Sequence, residues 1–258
     1  MSPSAAAEVV VHPDADSLAA AVAARLLVRL VDAQVARGRA SAVLTGGTVG
    51  TQVLREVAAS PAARAVDWTR VSLWWGDERF VPADDPDRNA GQAKEAVLDA
   101  LAALGMPASG VHAMPASDGA DGDDPDAAAR RYAAELAEAA REEGVTGPLP
   151  VFDVLMLGAG PDGHVASLFP GHPSLEAGDV DGVEVIPVRD APKPPPTRLS
   201  LTLPAITSAE EVWLVVAGEE KAPAVAEALA GPGRLPASRA HGASRTLWLV
   251  DRAAASRL

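Results

Sequence analysis

Short apolar runs alternate with longer amphipathic stretches along the chain. Most of the runs are continuous Val and Leu residues with little polar alternation, which is typical of strands buried on both faces of a parallel sheet. They predict strands at Glu8–Val11, Ala42–Leu44, Val71–Trp75, Val154–Leu157, Val183–Val188, Glu211–Val216 and Leu247–Val250.

The stretches between these strands have the spacing of helices, and several end at glycine or proline signals. They predict helices at Ser17–Arg37, Thr51–Ala59, Asn89–Leu101, Asp126–Glu143 and Lys221–Ala230. Repeated alternation of strand and helix predicts an α/β sandwich with helices on both faces of the sheet. We find no repeat or clear linker, so we expect residues 1–258 to form a single domain.

Composition narrows the classes of protein. The formal charge of −13 argues against non-specific nucleic-acid binding, which needs a basic surface. We find no run of roughly 20 uncharged apolar residues and no signal peptide, so we predict no membrane contact. The chain has no cysteine, which excludes disulfides and a cysteine nucleophile and is typical of a cytoplasmic enzyme.

A glycine pair, Gly46 and Gly47, follows a predicted strand and precedes a predicted helix, with Thr45 and Thr48 on either side. Free N–H groups and the positive end of the helix dipole make such a turn suitable for a phosphate. It lacks the Gly-Lys-Ser/Thr of a Walker A loop. By itself the pattern also fits a plain strand–helix turn.

Three charged residues, Asp77, Glu78 and Arg79, follow another predicted strand. This position predicts that they lie at the carboxyl edge of the sheet, where open α/β sheets bind ligands. Arg79 is suited to a carboxylate or phosphate, and Asp77 or Glu78 to a histidine or a sugar hydroxyl. A solvated loop with local ion pairs is the alternative. Further along, Asp87 is a candidate helix cap.

The segment Phe152–Pro170 runs from an apolar strand through a glycine-rich turn to His164. Its glycines, Gly158, Gly160 and Gly163, match the dinucleotide pattern G-x-G-x-x-G. Pro170 soon afterwards disfavours the helix that this pattern requires. A histidine after such a turn can move a proton near neutral pH, so we interpret the segment as part of an active site. The other histidines are interpreted as ordinary polar residues: His12, His112, His172 and His241.

The segment Asp190–Thr197 contains four prolines around Lys193 and leads into Arg198. Prolines fix φ and stiffen a loop, so the segment is either a plain connector or a rigid arm that presents Lys193 and Arg198. Lys221 is either a solvated lysine or a third cation of the site.

Taken together and in this order, the four segments resemble the glucosamine-6-phosphate isomerase/6-phosphogluconolactonase family, and within it the lactonases. The resemblance spans nearly the whole chain, from Leu44 to Asp251. It implies a Rossmann-like three-layer α/β sandwich with a mostly parallel sheet. It also implies hydrolysis of 6-phospho-D-glucono-1,5-lactone in the oxidative pentose phosphate pathway, with no metal and no organic cofactor.

The resemblance also implies roles for individual residues. His164 would be the general base on water, Asp162 and Asp77 would hold or polarise the site, and Arg79 would meet the developing oxyanion. The 6-phosphate would be bound by Gly46, Gly47, Thr48, Lys193 and Arg198. The partner is then a small sugar-phosphate lactone, with no nucleic acid and no membrane, and we expect a monomer.

One departure and three alternatives remain open. The phosphate loop has Val49-Gly50 where relatives often have proline, which leaves its side-chain contacts open. An amino-sugar-phosphate deaminase would have an aromatic residue in place of Arg79 and a glutamate shortly after His164. A sugar-phosphate sensor would add a basic helix-turn-helix segment. A nicotinamide-dependent oxidoreductase would need a ribose-binding acid and a helix after the glycines.

Overall fold

The computed structural model describes residues 7–231 and 233–258. Its strands are β1 (Glu8–His12), β2 (Ala40–Leu44), β3 (Val71–Trp75), β4 (Asp77–Arg79), β5 (Val111–His112), β6 (Val154–Leu157), β7 (Val185–Val188), β8 (Arg198–Leu201), β9 (Glu211–Val216) and β10 (Arg245–Asp251). Its helices are α1 (Ala15–Arg37), α2 (Gly47–Ala59), α3 (Asn89–Ala93), α4 (Asp99–Ala103), α5 (Pro125–Glu143), α6 (Pro173–Ala177), α7 (Leu203–Thr207), α8 (Ala222–Leu229) and α9 (Pro236–Arg239).

Seven strands form one parallel sheet in the order β1-β10-β9-β6-β2-β3-β5. Its central strands β2 and β6 are buried along their whole length, in agreement with their continuous apolar sequence. Helices α1 and α2 pack against each other and against strands of this sheet. The predicted α/β sandwich with a mostly parallel sheet is therefore confirmed.

Helix ends follow local signals. Asp14 caps α1 by accepting a hydrogen bond from the Ser17 N–H, and Gly38 ends the helix with φ of 75°. Gly144 ends α5 in the same left-handed conformation. A π-helical segment, Lys94–Leu98, joins α3 to α4, so the predicted helix at Asn89–Leu101 is continuous in space. Within the described residues, no helix combines the length and the apolar character that crossing a membrane requires.

The prediction that Val183–Val188 is a strand of the parallel sheet is wrong. The strand is Val185–Val188, and it lies in a separate antiparallel sheet of order β4-β8-β7. The short proline-rich connection to β8 cannot hold the long crossover that parallel neighbours require. This small sheet sets Arg198 directly opposite Arg79 and Ser200 opposite Asp77.

The order of the large sheet gathers the predicted motifs at one edge. Strand β2 lies between β6 and β3, and all three are parallel, so their carboxyl ends meet. Two hydrogen bonds join the loops that leave these ends: the Gly76 N–H donates to the Leu44 carbonyl at 3.2 Å, and the Gly158 N–H donates to Thr45 Oγ at 3.1 Å. The three motifs therefore form one surface.

Candidate active site

A cleft of about 300 Å³ opens at this edge. It is lined by all but one of the residues predicted for the site: Gly46, Gly47, Thr48, Asp77, Arg79, His164, Lys193 and Arg198. Lys221 also lines it, and its ammonium donates to the Ala217 carbonyl at 3.0 Å. The cleft therefore gathers four cationic side chains in a chain of net charge −13, which is the local basic pocket that an anionic ligand needs.

Volume alone does not identify this cleft. A larger cavity of about 410 Å³ lies beside the start of β3, lined by Arg39, Arg70 and Glu142 among others. It contains none of the predicted site residues and mixes acidic with basic side chains. The convergence of the predicted residues, and not size, identifies the candidate site.

The glycine loop forms the N-terminus of α2, which begins at Gly47 and not at the predicted Thr51. Gly46 is the capping residue and provides no side-chain hydrogen bond, so the first N–H groups of the helix face the cleft without a capping side chain. Gly50 belongs to the Val49-Gly50 pair that departs from the phosphate loop of relatives, and there is little space for a side chain at this position. A Cβ there would lie 2.8 Å from the Thr45 carbonyl oxygen, so the helix could not approach the loop as closely.

His164 and Asp162 form a hydrogen-bonded pair beside the cleft. Nδ1 of His164 lies 2.5 Å from Oδ1 of Asp162, and the histidine side chain is 17% exposed. Gly160 leaves room for this pair, since a Cβ there would lie 2.2 Å from the imidazole ring. Asp162 is the predicted site residue that does not line the cleft, although it is hydrogen-bonded to His164, which does.

Burial lowers the pKa of His164 below its usual value, and the neighbouring Asp162 carboxylate partly opposes this. Burial acts to raise the pKa of Asp162, but the hydrogen bond from His164 and the charges of His164 and Lys193 outweigh it, so that pKa is lowered. At neutral pH the pair is therefore a neutral imidazole beside a carboxylate. This is the protonation state that a general base requires.

The three charged residues after β3 have different surroundings. Asp77 lines the cleft, and its Oδ2 accepts a hydrogen bond from Ser167 Oγ at 2.7 Å. Glu78 is fully buried and accepts hydrogen bonds from the N–H groups of Arg79, Asn89 and Ala90. Burial raises the pKa of Glu78, whereas Arg88 and these donors lower it. Of these two acids, Asp77 is therefore the one that can contact a ligand in the cleft.

The candidate cap Asp87 does not cap the helix that follows it. The residue before α3 is Arg88, which provides no side-chain capping bond. The buried carboxylate of Glu78 accepts from the first N–H groups of α3 instead. Arg79 lies beside this helix start, where its Nη1 donates to the Asp87 carbonyl at 2.5 Å and the residue lines the cleft.

Arg198 is hydrogen-bonded to the proline arm that precedes it. Its side chain is buried, and Nε donates to the Pro195 carbonyl at 3.1 Å, while Nη2 donates to the carbonyls of Lys193 and Pro194 at 3.0 Å. Arg198 therefore stabilises the conformation of the arm, and it also lines the cleft. Lys193 is the more exposed cation, and its Nζ lies 3.9 Å from Asp162 Oδ1.

Two buried side chains at the site were not predicted from the sequence: Ser167, which donates a hydrogen bond to Asp77, and Asn89, which lines the cleft. Ser167 lies within the segment that was singled out for His164, so its hydroxyl was a usable signal. Asn89 was visible only as the start of a predicted helix. In the described part of the chain, no group of three or more His, Asp or Glu side chains is arranged to hold a metal ion.

Comparison with known proteins identifies the family of this chain. A family model described as glucosamine-6-phosphate isomerases/6-phosphogluconolactonase matches residues 13–248. The chain therefore belongs to the glucosamine-6-phosphate isomerase/6-phosphogluconolactonase family, as its motifs predicted.

Individual relatives indicate the type of enzyme within this family. The 6-phosphogluconolactonase of Streptomyces coelicolor is 54% identical and the match covers 97% of this chain and 94% of the relative. That of Mycobacterium tuberculosis is 47% identical, with 96% and 97% covered. The solved 6-phosphogluconolactonase of Trypanosoma brucei is 27% identical, with 98% of each chain covered and a TM-score of 0.79. These matches confirm the prediction of an enzyme of the 6-phosphogluconolactonase type.

Proposed function

We propose that the protein hydrolyses 6-phospho-D-glucono-1,5-lactone to 6-phospho-D-gluconate, with His164 as general base. The observation that carries this proposal is the hydrogen-bonded pair of His164 and Asp162 beside a cleft that also holds a glycine loop at a helix N-terminus. The pair supplies a base, and the loop with its nearby cations supplies a phosphate site. A sugar-phosphate lactone needs both.

The chemistry needs no covalent nucleophile, because a lactone carbonyl is already electrophilic. With Nδ1–H donated to Asp162, Nε2 of His164 is free to take a proton from water as the water oxygen bonds to C1 of the lactone. The carbonyl electron pair moves to oxygen, where the Arg79 guanidinium stabilises the negative charge. Collapse of this intermediate breaks the bond between C1 and the ring oxygen, which receives the proton from the imidazolium.

Binding of the 6-phosphate positions the carbonyl for this attack. The N–H groups of Gly46, Gly47 and Thr48 lie at the positive end of α2, and Lys193 and Arg198 add charge. Because the phosphate lies away from the reacting carbon, its binding energy orients the lactone relative to His164. Asp77, fixed by Ser167, would accept a hydrogen bond from a sugar hydroxyl.

The sequence lacks the residues expected of an amino-sugar-phosphate deaminase. Arg79 stands where an aromatic residue would be expected, and the segment after His164, Ala166–Phe169, contains no acid. Ala166, two residues after His164, also lines the cleft and is apolar. The absence of a cofactor, a monomeric state and a cytoplasmic location remain predictions.

A lactone hydrolysis assay tests the proposal. Glucose-6-phosphate dehydrogenase generates the lactone in situ, and formation of 6-phosphogluconate is followed with EDTA present. We expect faster formation than spontaneous hydrolysis, and a loss of about 10²–10⁴-fold in kcat for His164→Ala. The exposed His241 provides a matched control, since His241→Ala should retain wild-type activity. No acceleration by the folded wild-type protein would refute the proposal.

A further inference from the structure

Asn89 lies between the loop that follows β2 and the segment that follows β3. It is the first residue of α3 and its side chain is buried. The side-chain Nδ2 donates to the Asp77 carbonyl at 2.9 Å, on the edge that follows β3. Its amide group also lies against Gly46, on the edge that follows β2. One amide therefore contacts both the loop that carries the acid and the loop proposed for the phosphate.

The contact with Gly46 leaves no space for a side chain. A Cβ on Gly46 would lie 1.9 Å from Asn89 Oδ1 and 2.5 Å from Asn89 Cγ. The φ of Gly46 is −85°, which any residue adopts, so space and not backbone conformation requires glycine here. Among the described residues, no hydrogen-bond donor reaches the buried Oδ1 of Asn89. The contact with Gly46 is therefore one of close packing.

Hydrogen bonds to buried neighbours hold Asn89 in place. Its backbone N–H donates to Glu78 Oε1 at 2.7 Å, and Glu78 is fully buried. The preceding Arg88, also buried, donates to the Met114 carbonyl at 2.7 Å and lies 3.7 Å from Glu78 Oε2. Because charged groups are seldom buried without partners, this cluster has few alternative arrangements.

We propose that Asn89 is a positioning residue that sets the separation between the Gly46–Gly47 loop and Asp77. The proposal builds on the proposed function, since it concerns the same cleft. The lactone is anchored at its phosphate and reacts at its carbonyl, so the distance between these two parts of the site decides whether the carbonyl meets the base. Misplacement by about 1 Å can cost about 10²-fold in rate.

A double-mutant cycle tests the contact between Asn89 and Gly46. Gly46→Ala should lower Tm and kcat/KM, because the new methyl group displaces the Asn89 amide. Asn89→Ala opens that space, so the double variant should have a higher Tm than the sum of the single effects predicts, and be no less active than Gly46→Ala alone. Gln92→Ala is the matched control, since the Gln92 amide donates to the exposed Pro86 carbonyl. Strictly additive effects on Tm would overturn the proposal.

Asn89→Leu tests the link to Asp77 separately. It keeps a side chain of similar size against Gly46 and adds no charge near the phosphate loop, but it cannot donate a hydrogen bond to the Asp77 carbonyl. We expect kcat to fall while KM and the binding of inorganic phosphate stay close to wild type. A purely structural role would not produce this split. A wild-type kcat for Asn89→Leu would overturn the link.

The measurements distinguish failure of this proposal from failure of the proposed function. If the wild type does not hydrolyse the lactone, the Tm cycle and calorimetric binding of inorganic phosphate still report whether Asn89 and Gly46 are coupled. If the wild type is an active lactonase and the cycle is additive, only the positioning role is refuted.

Discussion

Replacement of Asp162 by asparagine separates two effects of this carboxylate on His164. The carboxylate accepts a hydrogen bond from Nδ1 at 2.5 Å, which leaves Nε2 free to take a proton, and its charge stabilises the imidazolium that forms. The asparagine amide keeps the size but removes the charge. Its NH₂ group can also donate to Nδ1, which favours the tautomer with the proton on Nε2, a form that cannot accept a proton from water.

The expected loss follows from these two effects. A hydrogen bond to a charged group contributes about 1.5–3 kcal/mol, and about 1.36 kcal/mol is a factor of ten in rate. The Asp162 side chain is 38% exposed, so solvent screening favours the lower end, about tenfold to thirtyfold from the charge. The change of tautomer acts in addition, so we expect kcat to fall by about 10²–10³-fold, within the range of a lost general base.

The pH profile provides the decisive assay. Burial lowers the pKa of His164, so the neutral base is present at neutral pH and lost as pH falls through that lowered pKa. For the wild type, kcat/KM should therefore rise with pH through a pKa below the usual histidine value of about 6.5 and then level off. Asp162→Asn removes interactions that raise this pKa, so the rise should move to lower pH while the plateau falls.

Asp77→Asn is the matched comparison, because the Asp77 charge raises the pKa of His164 less than Asp162 does. It should leave the midpoint of the pH profile nearly unchanged, even where it lowers kcat. Two results would show that Asp162 does not tune the base. One is a shift of the midpoint by Asp77→Asn that equals the shift by Asp162→Asn. The other is a pH profile and a kcat for Asp162→Asn that both match the wild type.

Three further substitutions test the remaining contacts of the cleft. Lys193→Met should raise KM with kcat nearly unchanged, since it removes charge that binds ground and transition states alike; steady-state kinetics with unaltered KM would remove Lys193 from the phosphate site. Arg198→Met should lower the free energy of unfolding by about 2–4 kcal/mol, because carbonyls of the proline arm lose a buried donor; an unchanged denaturation midpoint would contradict this. Ser167→Ala should lower kcat about tenfold, the value of one hydrogen bond to the Asp77 carboxylate, and kcat equal to wild type would show that Asp77 needs no such support.

Much of the large sheet was predictable because its strands are apolar on both faces. Val71–Trp75, Val154–Leu157 and Glu211–Val216 have the predicted bounds. The helix ends at Gly38 and Gly144 were equally visible, because a residue with positive φ after a helix is most readily glycine. These features depend on neighbours within a few positions along the chain, which is the range over which a sequence pattern is informative.

The wrong sheet assignment and the choices that stayed open concern contacts that a local sequence pattern does not specify. Val185–Val188 has the same apolar character as the central strands, and only the short connection after it decides its antiparallel pairing. Glu78 stands in a charged triplet, but strand alternation turns it away from the cleft and under the start of α3. For Arg198 the sequence left a plain connector and a presenting arm as alternatives. In the structure Arg198 lines the cleft, and three carbonyls of the arm receive its hydrogen bonds.

The sequence by itself determined the family and the parallel sheet, because motifs and apolar runs are local features. It placed Asp162 and His164 in one glycine turn, but the structure decided that Asp162 and not Asp77 is hydrogen-bonded to the histidine ring. The tertiary structure decided which acid faces the cleft, that Ser167 binds Asp77, and that Asn89 lies against Gly46. These contacts join segments far apart in the chain, and they exist because β2 lies between β6 and β3. Strand order is a global property of the packed chain, and no local pattern of residues specifies it.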